Sequence, residues 1–292
     1  MNILKKTLGA AVGALGLLFA SGAGAAEYAL LSTGATHDIN SAIFTAYPQQ
    51  PTGSGNIDPF VRLKRDGTTA EGYNTTVIPT YDNFGGAGFN HEITVGGVGF
   101  ISTPGGTVMR FLLDIDQTSS NPLLSLDKVQ IYISTVANQS VSIGSLANSA
   151  LVYDMDAGGD NYVKLDYNLN NGSGSGDMTL DIPLAMFMAA FAAYDADAGN
   201  LVKFNGDTGL MNGAFIYLYS RFGDQPGMED NDGFEEWTHF NGNPLEEQPC
   251  DPRVEDCGPR EIPEPGSLVL FSLGLLGSAI VVRRGRQRWM RG

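Results

Sequence analysis

Val108-Met-Arg-Phe-Leu-Leu-Asp-Ile-Asp116 decides the fold class of this chain. Successive side chains of a strand point to opposite faces, so Met109, Phe111, Leu113 and Ile115 share one side. The same period of two recurs on either side of it. Residues 128–135 turn Val129, Ile131 and Ile133 one way, and residues 162–169 do so with Val163, Leu165, Tyr167 and Leu169. Residues 213–222 are apolar on both sides, with Phe215, Tyr217 and Tyr219 opposite Ala214, Ile216 and Leu218. That is the pattern of a central strand. Shorter candidates are 27–32, 60–64, 93–100, 150–154, 178–182 and 234–240. Asp66-Gly67, Gly85-Gly86, Pro104-Gly105, Gly158-Gly159 and Asn171-Gly172 supply the turns between them. About ten short strands so punctuated predict a mainly β fold, an antiparallel β-sandwich of jelly-roll type over residues 27–240.

One short helix is expected among the strands. Asp181 is placed to cap it and Pro183 suits its first turn. Leu184, Phe187, Phe191 and Tyr194 then recur at helical spacing before Gly199. Its other positions are Ala and Met, so the stripe reads as core packing.

Of the 292 residues 42% are hydrophobic and 17% charged, too apolar for a disordered chain, and 38 glycines interrupt any long helix. Residues 27–264 hold all 32 acidic residues and only 10 of the 17 basic ones, a net charge of −22. Binding a phosphate backbone needs clustered Lys and Arg, so nucleic acid is excluded as a partner of this region.

The basic residues gather at the two ends. Lys5 and Lys6 precede an apolar run over residues 8–20, and Ala23 and Ala25 then form an A-x-A site. Residues 1–26 therefore read as a signal helix, handled by the general secretion machinery and removed by signal peptidase. At the other end residues 266–282 are uncharged and mostly apolar. As a helix they reach about 26 Å, slightly under a ~30 Å hydrocarbon core. Arg283, Arg284, Arg286, Arg288 and Arg291 follow at once and act as a membrane stop. By the positive-inside rule everything before this transmembrane helix lies on the far side of the membrane.

Pro263-Glu264-Pro265, a short apolar span and a terminal arginine cluster, in that order, resemble the PEP-CTERM sorting signal of Gram-negative bacteria. The resemblance covers residues 263–292. It implies handling by an exosortase-type sorting protease, transient anchoring in the membrane, and removal of the tail near residues 263–265. The implied destination is the cell surface or an exopolysaccharide-rich biofilm matrix; a permanently anchored surface protein is the alternative. Residues 207–237 also look similar to stretches of other PEP-CTERM proteins, which implies shared architecture only.

Residues 241–262 form an acidic, Pro-rich linker with too little apolar content to join a core. Cys250 and Cys257 lie in it and should meet an oxidising compartment. A disulfide between them closes eight residues and constrains the linker by roughly 2.5 kcal/mol. No His neighbours them and no C-x-x-C is present, so a staple fits better than a metal or redox site.

Carboxylates are the candidate chemistry. Asp154-Met-Asp156-Ala-Gly158-Gly159-Asp160 opens like a calcium loop, with oxygen ligands at alternate positions. Gly158 then stands where a third ligand belongs and Leu165 where the bidentate Glu should be, so it is no EF-hand. A β-turn calcium site of Asp154, Asp156 and Asp160 is the sharper reading, a solvated acidic turn the plainer one. Residues 229–237 are a second acidic run, raising the prospect of a shared ion, and Asp195-Ala-Asp197-Ala-Gly199 is a weaker third.

Hydrolase chemistry is poorly supported. There is no G-x-S-x-G, and His37, His91 and His239 lack zinc spacing. Paired carboxylates serve glycosidases only at a set separation that sequence does not give. The glycine runs 96–99 and 172–176 read as turns or sheet bends. Trp237, Tyr217, Tyr219, Tyr73, Tyr81 and Tyr162 could stack on sugar rings, although packing accounts for each equally well. The expectation is a non-enzymatic surface or matrix component, associated with exopolysaccharide; a calcium-dependent carbohydrate-binding module is the alternative and a secreted hydrolase a distant third.

Overall fold

The computed structural model describes residues 25–47, 58–77, 88–172, 174 and 176–245. Within them the chain is mainly β, with two antiparallel-rich sheets and few helices. The strands are β1 (Ala26–Leu30), β2 (Thr36–Ile39), β3 (Ala42–Ala46), β4 (Val61–Leu63), β5 (Ala70–Tyr73) and β6 (Ile93–Thr94). They continue with β7 (Ile101–Thr103), β8 (Gly106–Asp114), β9 (Leu123–Ser134), β10 (Ser149–Asp154), β11 (Asn161–Asp166), β12 (Met178–Pro183), β13 (Phe215–Phe222) and β14 (Glu235–His239).

The first sheet runs β1-β11-β9-β13-β5, with β10 also on β9 and β6 also on β13. Its spine is β9. One edge of β9 takes β13 from Ser134↔Phe215 to Leu126↔Phe222. The other edge is divided between β10, at Gln130 to Ser134, and β11, at Leu123 to Leu126. The second sheet runs β2-β3-β12-β8-β14-β4, with β7 on β8. All ladders are antiparallel except β1 on β11.

Alternation explains which side each strand buries. Val129, Ile131, Ile133, Ile216 and Leu218 of the first sheet join Phe44, Phe111, Leu113, Leu180 and Trp237 of the second in one hydrophobic cluster. Each such side chain contributes about 1.5–3 kcal/mol when fully removed from water. Polar contacts also cross between the sheets, among them His37 Nε2 on the Ala29 carbonyl at 2.9 Å. Trp237 Nε1 donates to Ser220 Oγ at 3.0 Å, and the Tyr153 hydroxyl donates to the Ile39 carbonyl at 3.0 Å.

The expected helix is α2 (Leu184–Ala196), after α1 (Val95–Val98) and before α3 (Thr208–Gly213). It buries Phe187, Ala190, Phe191 and Tyr194, the stripe read from the sequence. Its cap differs from expectation. Pro183 is the N-cap, while Asp181 stays in β12 and grips Arg110 through two contacts of 2.6 Å.

Other departures have local causes. Residues 93–100 were expected as a strand, but only Ile93 and Thr94 form one; Thr94 Oγ1 then accepts from Gly97 N and starts α1. Gly99, at φ +69°, lets the chain pass against Gly242. The pair α1 and α3 makes the single expected helix one of three. Residues 167–169 leave the strand pattern for a 3-10 turn capped by Asp166. At the start, β1 takes in Ala26, which pairs with Asn161. At the end, Gly242 N donates to Val98 O, Asn243 bridges Phe100 and Leu245 bonds Asn212. The domain therefore runs past 240 to Leu245.

Candidate functional site

Residues 154–160 hang from the middle of β9, where β10 ends and β11 begins. Met155 N donates to Val129 O at 2.9 Å, and Asn40 Nδ2 donates to the carbonyls of Asp154 and Met155. Two of the three candidate carboxylates are occupied within this turn. Asp154 accepts from Gln130 Nε2 at 2.7 Å and from Asp156 N at 2.9 Å. Asp156 accepts from Asn161 N at 3.1 Å and faces Lys128 Nζ at 3.6 Å. Asp160 is exposed, and it is its carbonyl that takes Ala26 N at 2.8 Å. The arrangement is a hydrogen-bonded acidic turn whose charge Lys128 partly offsets. Burial still holds the Asp156 carboxyl above its usual range.

The turn forms one wall of a polar groove of about 420 Å³ on the outer face of the first sheet. Lys128, Asp156, Asp160, Tyr219, Arg221 and Asp224 line it, with Asp127 and Gln225 at its base. Arg221 is clamped to Asp224 at 2.6 and 2.9 Å and reaches Glu71 at 3.4 Å. Asp127 is buried and bonded to Ser125 Oγ, Asp224 N and Gln225 Nε2, so it fixes the turn leaving β13. The polar groups of this groove are largely paired with one another, the Tyr219 hydroxyl donating to Glu71 Oε2 at 2.6 Å.

Most of the candidate stacking aromatics are inaccessible. Trp237 lies in the core between the sheets. Tyr73, Tyr217 and Tyr219 form a second small cluster with Leu146, because residues 135–148 fold over them. The Tyr73 hydroxyl donates to Gln139 O and Val141 O, and that of Tyr217 to Val136 O. Tyr162 is half-buried, its hydroxyl on Glu27 at 2.7 Å. Tyr81 lies outside the described residues, as do Cys250, Cys257, Pro263, Glu264, Pro265, Arg283, Arg284, Arg286 and the span 266–282. Among the described residues no helix is long and apolar enough to cross a membrane.

The second acidic run meets partners that its sequence position did not reveal. Glu235 starts β14 on the same side as Trp237 and is fully buried. Its Oε1 accepts from Gln117 Nε2 at 3.2 Å, while Gln117 Oε1 accepts from Asn231 N at 3.2 Å. Asp230 is 2% exposed, and its Oδ1 has no hydrogen-bond partner. Asp114, Asp116 and Asp177 stand nearby at the end of β8. Ile115 N donates to Asp177 Oδ2 at 2.9 Å and Gly174 N to Asp114 Oδ2 at 2.8 Å. Burial pushes Asp177 up to about 9 and Asp230 up to about 7, and it holds Glu235 well above the usual carboxylate range. Asp195 and Asp197, the third acidic group, bond the backbone of Phe204, Asn205 and Gly199. His37 binds the Ala29 carbonyl at 2.9 Å, whereas His239 lies near His91 and is lowered by burial. Among the described residues no three His, Cys, Asp or Glu side chains group to hold a metal ion.

A family model of the PEP-CTERM protein-sorting motif matches residues 261–287. The chain therefore carries this sorting motif, which implies an exported, surface-directed protein handled by an exosortase-type system. No curated protein and no solved structure matches the chain.

Proposed function

We propose that this protein is a structural or adhesive component of an extracellular polysaccharide matrix, released to it when its tail is processed near residues 263–265. The observation that carries the reading is the sorting motif at residues 261–287, behind a jelly-roll-like sandwich within a strongly acidic region. The net charge of −22 over residues 27–264 keeps such a protein soluble and lets divalent cations bridge it to anionic polysaccharide. The test is made in the exporting host. With Pro263, Glu264 and Pro265 replaced by alanine, full-length protein should accumulate in the membrane fraction and leave the matrix. Equal partition of variant and wild type would overturn the reading.

A second reading, a carbohydrate-binding module, draws on the groove between Lys128, Asp156 and Arg221. Replacing Arg221 and Lys128 by alanine should then abolish co-sedimentation of the exported protein with the host's exopolysaccharide. Unaltered co-sedimentation would leave only the charge-based association.

A further inference from the structure

The first strand starts where export would create a new chain terminus. Ala23 and Ala25 form the A-x-A pattern, which sets the cut after Ala25 and leaves Ala26 as the first residue of the exported chain. Ala26 is also the first residue of β1. It pairs with Asn161 at the head of the parallel ladder on β11, and its N donates to Asp160 O at 2.8 Å. A cut there removes no residue of the ladder and leaves none over.

The cut changes what that nitrogen is. An amide N–H is a single neutral donor. The terminus that replaces it is an ammonium with several donors and a charge, and a bond from an ionised donor is roughly twice as strong as a neutral one. The charge arises beside carboxylates. Glu27, next to it on β1, holds the Tyr162 hydroxyl at 2.7 Å and faces Lys164 Nζ at 3.9 Å, both from β11. In the turn that follows β10, Asp156 faces Lys128 of β9 at 3.6 Å. Asp160 is exposed, and its carboxylate has no hydrogen bond or ion pair among the described residues. The carboxylate without a cation thus belongs to the residue whose carbonyl holds Ala26 N. Carbonyl and carboxylate of one aspartate are a few bonds apart, which keeps the ammonium within about 8 Å of it, on the order of one Debye length.

We propose that signal peptidase cuts between Ala25 and Ala26 and that the ammonium so formed docks on the Asp160 carbonyl, serving as the cation of the 154–160 turn. Water is split across the peptide bond: its hydroxyl completes the Ala25 carboxyl, and its proton goes to the Ala26 amine, which is ionised at neutral pH. Processing then fastens β1 to β11 with a charge that the precursor lacks. Neighbouring cuts do not do this. A start at Glu27 loses the Ala26–Asn161 pair and the bond to Asp160, and a start at Gly24 puts the ammonium two residues before the strand. The inference rests on export by the general secretion route and not on the matrix role.

The protein would be recovered from the exporting host, its first residue read by terminal sequencing and its α-amine titrated by nuclear magnetic resonance. The expected first residue is Ala26, and the α-amine should titrate above its ordinary range of about 7.7–8.0. Asp160→Asn, which keeps the carbonyl, should bring it back toward that range. An amine so raised contributes its full stabilisation below about pH 7.7 and loses it as pH rises through the folded value. Should the variant fail to fold, the wild-type first residue and titration still decide. A first residue of Met1 would overturn the export reading together with this one. Any other start than Ala26, an α-amine within the ordinary range, or one unmoved by Asp160→Asn would overturn this proposal alone.

Discussion

Trp237 Nε1 donates to Ser220 Oγ at 3.0 Å through the buried space between β14 and β13, joining the two sheets by side chains. Ser220 takes a core-facing position of β13 that Ile216, Leu218 and Phe222 otherwise fill. The hydroxyl is there because a fully buried indole needs an acceptor.

Ser220→Ala should therefore destabilise the chain by about 1–3 kcal/mol, the cost of leaving a buried donor unpaired. Trp237→Phe removes the donor as well and should cost mainly the lost volume. Urea denaturation of the two single variants and the double variant would show it: adding Ser220→Ala to Trp237→Phe should cost much less than adding it to wild type. Additive losses would mean the bond contributes nothing.

Gly233 and Gly158 offer a paired test of packing against backbone freedom. Both have positive φ, +54° and +92°. A Cβ at Gly233 would overlap the Asp116 carboxylate, whereas at Gly158 it meets nothing within 4 Å. Gly158→Ala should cost roughly 1 kcal/mol for the left-handed conformation alone. Gly233→Ala should cost more, on the order of 1–3 kcal/mol beyond that. Similar melting temperatures for the two variants would refute this.

The acidic end sets the pH dependence in EDTA. Asp177 titrates at about 9, Asp230 at about 7 and Glu235 well above normal, all through burial. In the unfolded chain these groups titrate near 4. The folded state therefore holds more protons between those limits, and stability falls as pH rises through that window. The melting temperature should be higher at about pH 5.5 than at about pH 8.5. A melting temperature that rises with pH in EDTA would contradict the assignment.

Asp156 and Asp160 differ although they lie only four positions apart in one turn. Asp156→Ala removes the acceptor of Asn161 N and the partner of Lys128, so a loss of about 1 kcal/mol is expected. Asp160→Ala leaves its bonded carbonyl in place and should stay within about 0.5 kcal/mol of wild type. Equal losses would show that the carboxylates act as a pair.

Strict alternation was readable wherever one face meets the core. Met109, Phe111, Leu113 and Ile115, and likewise Val129, Ile131 and Ile133, are all buried as their period implies. Alternation misleads where a sheet's outer face is covered. Tyr73, Tyr217 and Tyr219 occupy outward positions suited to stacking on a ligand, but residues 135–148 cover them. The hairpin of β2 and β3 was missed because its strands are short and its turn is Asn40-Ser41, both at positive φ without a glycine. The acidic end was beyond reach for another reason. Asp114, Asp177 and Glu235 come from three distant segments, and only their shared burial makes them a site. One clue did exist: Glu235 precedes Trp237 by two residues, so a strand that buries the indole buries the glutamate too.

The pairing of β1 with β11 carries a consequence for the timing of export. β1 ends at Leu30, and its partner begins at Asn161. β3 waits for β12, β5 for β13 and β4 for β14. A chain threaded through the membrane from its amino end thus delivers its first strands long before their partners. Ladders closed over such separations form slowly, and unpaired strands are prone to associate with one another. On such a route its two sheets can be completed only once His239 has emerged.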